Sequence, residues 1–306
     1  MNVPSHIRFI SRSQIDVNAW DACINNASHG VIYARSFYLD QMAPRWDALV
    51  LDDYRAVMPL TWNRKFGIRY FFQPFLTSQL GVYGKNVDQQ LVNAFLVEAK
   101  RRFPFIEINL NAGNDFELPG FDTVRRVNYT LSLSRGYQEL AAGFRSNHTR
   151  NIRKALAANC EFKKGIPPDD VIALASAQLR QFTRLKYDDL ERFRSLCHKL
   201  INEGGAIAAG VFSGTMLLAS CILFFDERRI YYILAGNHPE ARDTGASHLL
   251  IAKLIEEHAG TDRVFDFEGS DSPSIALFYE GFGASVEYYR SVRLNRLPFF
   301  IRWIKG

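Results

Sequence analysis

The fold is decided by residues 229–284, which read RIYYILAGNHPEARDTGASHLLIAKLIEEHAGTDRVFDFEGSDSPSIALFYEGFGA. The stretch begins with a strand-like run and a polar loop. An amphipathic helix follows at 247–258, and then a short apolar strand at 264–267. A short helix is predicted at 274–280, followed by a final strand at 284–294. This alternation of strands and helices predicts an α/β protein in which helices cover a mixed sheet.

The segments before this stretch extend the same sheet. Three strands are predicted at 206–212, 215–225 and 229–235, separated by the turn residues Ser213-Gly214 and Asp226-Glu227. Such short polar turns between apolar runs indicate an antiparallel meander. The second half of the chain is therefore predicted to combine antiparallel strands with a helical connection and a short parallel strand.

The first half repeats this order of elements without a convincing sequence repeat. It is predicted to contain strands, one long helix at 87–102, and further strands at 106–110 and 124–133. Ser134, Gly136 and Gly143 interrupt the periodicity between the halves. The sequence thus predicts an N-terminal domain at 1–134, a linking basic helix at 135–158 and a C-terminal domain at 159–306.

Composition and charge limit the possible classes of protein. The 306 residues are 47% hydrophobic and 23% charged, which supplies two globular cores, and the net charge of +5 suits binding to anionic phosphates. The four cysteines form no C-x-x-C pair, so we expect neither a metal site nor a redox motif. The N-terminus lacks an apolar signal region, and no apolar run is long enough to span a bilayer. We therefore expect a cytoplasmic protein with no integral membrane association.

The loop before the predicted helix at 247–258 is a candidate anion site. Arg242, Gly245 and Ser247 have the spacing R-x-x-G-x-S at the helix start. Unpaired N–H groups and the helix dipole favour a phosphate there, and glycine permits a close approach of the backbone. An ordinary capped helix explains the same residues equally well when they are taken alone.

Two further motifs supply titratable groups. Asp266 and Glu268 alternate with phenylalanines in F-D-F-E-G-S at 265–270, so both carboxylates are expected on one face. Glu268 then suits a general base, and Tyr279 in F-Y-E-G-F-G at 278–283 suits a general acid for a departing thiolate. A structural carboxylate and a packed tyrosine are the alternative interpretations.

These motifs together resemble the GNAT acyltransferase superfamily. R-x-x-G-x-S at 242–247 resembles its Q/R-x-x-G-x-G/A pyrophosphate loop, although Ser247 replaces the small last residue. F-Y-E-G-F-G resembles its Y-E-x-x-G signature. The resemblance implies a duplicated GNAT-like fold, acyl-coenzyme A as co-substrate and no metal. It also implies donor contacts by six residues: Arg242, Gly245, Ala246, Ser247 and the backbone of Tyr232 and Leu234.

The chain is similar in particular to the Fem-like branch of that superfamily, whose members carry two GNAT domains. The similarity rests on FRSNHTRNIRKA at 144–155, YYILAGN at 231–237 and F-D-F-E-G-S. One departure is Phe278-Tyr279, where Fem peptidyltransferases have Phe-Lys, and this tilts the donor toward a coenzyme A thioester. The resemblance implies six residues that contact the acceptor: Arg145, Asn147, His148, Arg153, Asn237 and Asp266.

The resulting hypothesis is transfer of an acyl group to a small-molecule or peptide-like amine, with Glu268 and Tyr279 catalytic. Two alternatives stay open. One is a Fem-like peptidyltransferase that uses aminoacyl-tRNA and acts on a cell-wall precursor, and the other is a non-catalytic binding protein on a GNAT fold. The basic helix suits contact with phosphates but also suits a solvated surface.

Overall fold

The computed structural model describes residues 6–180, 186–269 and 271–298 of the chain. These residues form two compact units. The first contains the described residues up to 126 and from 288 onward, and the second contains those within 127–287. The first unit thus includes the C-terminal strand, whereas the sequence prediction placed all of 159–306 in the second domain. No helix of the described residues is long and apolar enough to cross a membrane.

The elements of the first half of the chain follow the predicted order, with one additional strand at the N-terminus and a second, two-residue strand before the long helix. They are β1 (Ile7–Ser11), α1 (Val17–Asn26), α2 (Ser36–Met42), β2 (Trp46–Leu51), β3 (Ala56–Lys65), β4 (Ile68–Phe72), β5 (Tyr83–Gly84), α3 (Gln89–Arg102), β6 (Phe105–Asn109) and β7 (Asp122–Ser132). Aspartate side chains cap two of these helices, since Asp16 accepts from the Ala19 N–H and Asp88 from the Leu91 N–H.

The elements of the second half divide the predicted linking helix at 135–158 into two helices, α4 and α5, and include one short helix that the sequence analysis did not predict, α8. The complete set is α4 (Tyr137–Ala142), α5 (Ser146–Ala157), β8 (Cys160–Lys164), α6 (Pro168–Leu179), α7 (Tyr187–Asn202), β9 (Ala206–Ser213), β10 (Met216–Phe225), β11 (Arg229–Asn237), α8 (Ala241–Thr244), α9 (Ala246–His258), β12 (Val264–Asp266), α10 (Pro273–Glu280) and β13 (Ser285–Asn295).

The sheet of the first unit has the strand order β1-β2-β3-β4-β6-β13. β4 and β6 are parallel and are joined by α3, whereas β13 pairs with β6 in antiparallel orientation. The buried face of α3 carries Val92, Phe95, Leu96 and Ala99, at the spacing of one helical stripe. These residues pack with Val292 and Leu294 of β13 in one core, so the C-terminal strand is part of the first unit.

The sheet of the second unit has the strand order β7-β12-β11-β10-β9-β8. β8 to β11 are antiparallel, and β11 and β12 are parallel and joined through α9. Alternation along β10 divides the two faces of the sheet. Cys221 and Leu223 pack in the core that contains α9, whereas Phe224 stacks on Phe193 of α7 at 5.8 Å. Helices therefore cover both faces, as the sequence predicts.

A buried ion network joins β11 to the end of β12. Arg229 donates to Asp266 at 2.7 Å and to Glu287 at 2.7 Å, and Asn128 donates to Asp266 at 2.9 Å. The side chain of Asp266 is nearly inaccessible to solvent. Burial raises the pKa of Asp266, and the charge of Arg229 opposes this shift. The arginine therefore keeps two carboxylates together in the interior of the second unit.

Replacing Arg229 with methionine should lower the free energy of unfolding by about 3–5 kcal/mol, because two carboxylates lose their buried cation. Urea unfolding near neutral pH measures the change. The matched control is Arg194→Met, which removes an exposed arginine paired with Asp169 and Glu191. A loss of less than about 1 kcal/mol is expected for the control.

The effect of Arg229→Met should also depend on pH. Without the cation, the pKa of Asp266 rises further above its unfolded value, so the folded variant binds more protons than the unfolded chain does. Stability that comes from a raised pKa is present at low pH and is lost as the pH rises. The difference in the free energy of unfolding between the wild type and the variant should therefore shrink as the pH falls from about 8 to about 5. A constant difference would contradict this account.

Candidate active site

β11 contains a β-bulge in the segment where the sequence predicts the donor carbonyl to bind. Its register with β10 shifts between the pairs Ile222–Leu234 and Leu223–Tyr232, so Ile233 is the inserted residue. An inserted residue leaves the ladder locally unpaired and turns backbone groups in new directions. The bulge thus gives the predicted carbonyl site near Tyr232 and Leu234 a structural basis, although the binding itself stays a prediction.

β11 also extends beyond its parallel neighbour. The ladder to β12 covers Arg229, Ile230 and Tyr231, and β12 ends at Asp266. β11 continues to Asn237, so the part after Tyr231 has no ladder to β12. The backbone of residues 232–236 therefore has no ladder partner in β12, next to the C-terminal end of a parallel strand, whereas the Asn237 N–H donates to Gln178.

The predicted anion loop is organised differently from the sequence expectation. Gly245 has φ of +80° and lies between α8 and α9, and a Cβ atom there would overlap the Asn151 carbonyl of α5. The close approach that requires glycine is thus made by α5. The Gly245 N–H donates to Ala241, and the Ala246 N–H donates to the Thr244 hydroxyl at 3.3 Å. Two of the expected donors are therefore already used within the chain.

The polar side chains of this loop differ in their contacts. Ser247 donates to the Asn237 side chain at 2.7 Å, and the Asn237 N–H donates to Gln178 at 2.9 Å. Ser247 and Asn237, which were both predicted to contact ligands, are therefore hydrogen-bonded to each other. Arg242 is exposed and has no ion pair with a described residue. Of the predicted donor-binding side chains, Arg242 is the one that is open to an anion.

Glu268 lies just beyond β12 in a strained backbone conformation. Its φ is +65°, which is unfavourable for a residue with a Cβ atom, and Gly269 follows with φ of +69°. Asp266 accepts from the Glu268 N–H at 3.0 Å and so supports this turn. The turn ends the alternation of the strand, so the prediction that Asp266 and Glu268 point to one face of a strand is wrong. Strain of this kind is concentrated at functional sites.

Tyr279 lies beside Glu268 in an aromatic cluster. Its ring stacks on Phe267 at 4.6 Å and lies 6.1 Å from the ring of Tyr129 on β7. Burial raises the pKa of the Tyr279 phenol, and the charge of Glu268 raises it further. The structure thus brings the two predicted catalytic residues together, and it keeps the phenol protonated at neutral pH.

Tyr232 connects this pair to the bulge. Its pKa is raised by burial foremost and also by Cys221 and Tyr279, so its phenol lies near that of Tyr279. Sequence analysis assigned Tyr232 only a backbone role and did not identify Tyr129. The alternation of β11 places Tyr232 on the face that packs with α9, but no local pattern indicates that β7 contributes Tyr129.

Comparisons with known proteins identify the type of domain that holds most of these residues. A family model described as an acetyltransferase (GNAT) domain matches residues 142–273. The chain carries a GNAT domain. No curated protein matches the chain.

Solved structures extend the similarity beyond the GNAT domain. FemX superposes with a TM-score of 0.64 at 13% identity, covering 93% of this chain and 97% of that chain. A tandem GNAT protein from the clavulanic acid biosynthesis pathway gives 0.55 at 13% identity, covering 96% and 99%. The C-terminal domain of a putative lysylphosphatidylglycerol synthetase from Agrobacterium fabrum gives 0.56 at 11% identity, covering 94% of each chain. The chain thus has a duplicated GNAT-like fold, as predicted.

Several residues predicted to contact the acceptor have structural roles in the GNAT domain. Asp266 is 4% exposed, and its oxygens bind Arg229, Asn128 and the Glu268 N–H. These contacts account for its burial and replace the predicted contact with substrate. Arg153 is exposed on α5 without an ion pair to a described residue, so its predicted role stays open.

His148 and Arg145 attach α5 to α10, whereas Asn147 contacts its neighbour His148. His148 is 3% exposed, and its Nε2 lies 2.8 Å from the Phe278 carbonyl, which can only accept. Burial lowers the pKa of His148, and its Nδ1 lies 2.9 Å from the Asn147 side-chain oxygen. Arg145 pairs with Glu280 at 2.8 Å. His148 and Arg145 therefore make contacts that position α10, and the acceptor contacts predicted for Arg145, Asn147 and His148 stay predictions.

His248 of α9 completes the packing around His148. Their ring centroids are 4.7 Å apart, and burial lowers the pKa of His248 to about 4, with a smaller contribution from His148. The His148 ring also occupies the space beside Gly281, where a Cβ atom would overlap it. Glycine in the F-Y-E-G-F-G motif thus allows the imidazole to pack under the end of α10.

Replacing Gly281 with alanine should lower the free energy of unfolding by about 1–3 kcal/mol, because the added methyl overpacks the His148 ring. Gly136→Ala is the matched control, since a Cβ atom there meets nothing and its φ is already −64°. We expect a change of less than about 0.5 kcal/mol for the control. Equal stabilities for the two variants in urea unfolding would refute this packing role.

Proposed function

We propose that this protein transfers an acyl group from a coenzyme A thioester to an amine acceptor. The observation that carries the proposal is the proximity of Glu268 to the partly buried, protonated phenol of Tyr279 beside the bulge of β11. The matched GNAT domain and the Fem-like fold support acyl transfer as the class of reaction.

The residues present fit a thioester donor in three respects. The bulge and the unpaired side of β11 supply backbone N–H groups for an acyl carbonyl. Arg242 is exposed at the loop where the donor's phosphates would lie. Tyr279 supplies a proton close to the same strand. The bound thioester would contribute an activated carbonyl and a thiolate leaving group.

Two residues of the chain then carry out one proton transfer each. Glu268 accepts a proton from the attacking amine, directly or through water, and the strained turn after β12 fixes its position. Tyr279 donates its phenolic proton to the departing sulfur. A pKa raised by burial and by Glu268 keeps that proton on the phenol until the transfer. Holding donor and acceptor together lowers the barrier further.

An aminoacyl-tRNA donor is the second candidate, because α5 presents the exposed cations Arg150, Arg153 and Lys154. The nearest acid before them is Glu139, and the nearest after them is Glu161. Such a helix suits contact with a phosphate backbone. The structural similarity to FemX also favours this candidate. Tyr279, in place of the lysine that the Fem resemblance implies, argues for the thioester.

Thermal unfolding with acetyl-, succinyl- and long-chain acyl-coenzyme A tests the donor, with free coenzyme A as reference. Binding to the folded state alone adds about 2.7 kcal/mol at a hundredfold excess over the dissociation constant. Arg242→Glu should reduce the shift, whereas Lys199→Glu, which changes an exposed lysine on α7, should not. No shift with any thioester, together with one for aminoacyl-tRNA, would favour the second candidate.

Tyr279→Phe should lower kcat for thiol release with a panel of primary amines by on the order of 10²-fold or more, because the phenolic proton is lost. Glu268→Gln should act similarly, while Tyr187→Phe, at an exposed tyrosine, should have no effect. Because the pKa of Tyr279 is raised, its ionisation should cause no loss of wild-type activity up to about pH 10. If both site variants bind the thioester and retain full kcat, these roles are wrong.

A further inference from the structure

The β3–β4 hairpin of the first unit ends in an exposed aromatic tip. Arg64 pairs with Arg69 and Lys65 with Ile68, so Phe66 and Gly67 form the turn. Both have positive φ, of +51° and +79°, as in a two-residue hairpin turn. The Phe66 side chain is 73% exposed. A bulky aromatic residue is unfavourable in this conformation and contributes nothing to a core, so folding does not explain it.

Unpaired cations surround this tip. No aspartate or glutamate occurs between Asp53 and Asp88, whereas that segment contains five lysines and arginines. Lys65, Arg69 and the nearby Arg45 are exposed and form no ion pair with a described residue. This differs from other exposed cations of the unit, such as Arg101, which pairs with Glu98. The hairpin itself contains no acid, and Asp47 lies at its base, where it accepts from the Trp62 indole at 2.7 Å. The hairpin therefore carries a net positive charge around an apolar tip.

Cations of the protein itself already lie over the aromatic rings of this surface. Guanidinium groups of Arg45 and Arg69 lie over the Trp62 ring at 5.2 and 4.8 Å, and the Lys65 ammonium lies 5.5 Å from the Phe66 ring centre. Single-stranded nucleic acids are bound by bases that stack on free aromatic faces. Trp62 has little free face for a base, so the arrangement favours a partner that offers phosphates and an apolar layer.

We propose that the β3–β4 hairpin docks this protein on an anionic phospholipid surface. Phe66 would enter the boundary between headgroups and acyl chains, while Arg45, Lys65 and Arg69 contact lipid phosphates. One aromatic residue and a few cations give weak, reversible binding, which suits a protein that visits a membrane surface. This inference does not depend on the proposed acyl transfer, since the hairpin shares no residue with the candidate active site.

Vesicle flotation tests the docking with the full-length protein. The probes are vesicles of phosphatidylglycerol mixed with phosphatidylcholine, and vesicles of phosphatidylcholine alone. We expect binding to the anionic vesicles only, with a loss at high salt. Replacing Lys65 and Arg69 together with glutamine should weaken binding roughly 25-fold, or about fivefold for each cation. Phe66→Ser should weaken it roughly tenfold.

Matched variants separate this role from general surface effects. Tyr187→Ser removes an aromatic side chain that is 76% exposed in the second unit, and Arg101→Gln removes an exposed cation from α3. Neither should change vesicle binding, and circular dichroism confirms that each variant is folded. Phe66→Trp should bind at least as well as the wild type, because tryptophan favours the membrane interface.

Three results would overturn the proposal. One is equal binding to neutral and anionic vesicles, and another is unchanged binding by Phe66→Ser. The third comes from fluorescence anisotropy with single-stranded RNA. Binding to RNA that is lost with Lys65 and Arg69, in a protein that does not bind anionic vesicles, would identify the hairpin as a nucleic-acid surface.

Discussion

The candidate active site depends on the buried contact between Arg229 and Asp266. Arg229 starts β11 and Asp266 ends β12, so their ion pair fixes the point beyond which β11 runs without a parallel neighbour. The same aspartate accepts from the Glu268 N–H and thereby holds the turn that positions the predicted base. A buried charge pair adds little net stability compared with an apolar core, and its value here is that it fixes one geometry.

The position of Tyr279 depends on a second set of contacts, made by α5. The His148 imidazole donates to the carbonyl of Phe278, and Arg145 pairs with Glu280, so both neighbours of Tyr279 are attached to the same helix. α10 has no fully buried residue of its own and gains its placement from these contacts and from the stacking of Tyr279 on Phe267. The first residues of α5 thus position α10, and the exposed cations further along α5 take no part in these contacts.

Local patterns predicted most elements of the fold. Periodicity and turn residues located the meander β9–β11, the helix α9 and the strand β13 to within one or two residues, because these signals lie in adjacent residues. Apolar periodicity also predicts a helix at 168–186; in the structure α6 ends at Leu179, and residues 181–185 lie outside the described residues. The N-terminal strand β1 was missed because its burial alternates poorly, and α4 is a short helix between glycines.

The site was predictable in part, for a related reason. Glu268 and Tyr279 lie in motifs with their own local signal, and the structure brings them together. The Phe278 carbonyl that contacts His148 lies 130 residues away in the chain, and Arg229 and Asn128, which contact Asp266, lie 37 and 138 residues away, so no local pattern identified His148 and Asp266 as structural. Gly245 was correctly recognised as a position that needs glycine, but the cause is the Asn151 carbonyl of α5, which only the folded chain brings there.

The strain at Glu268 bears on the choice between a catalyst and a binding protein. A residue with a Cβ atom, such as Glu268, costs on the order of 1–2 kcal/mol in the left-handed backbone conformation, and glycine at this position would remove that cost. The neighbouring phenol of Tyr279 is buried where the carboxylate's charge further opposes its ionisation. A binding protein needs only a cleft, so neither the strained backbone of Glu268 nor the raised pKa of Tyr279 would serve its function. A transferase needs both, because a fixed base and an acid that keeps its proton must lie next to one strand to serve one reaction.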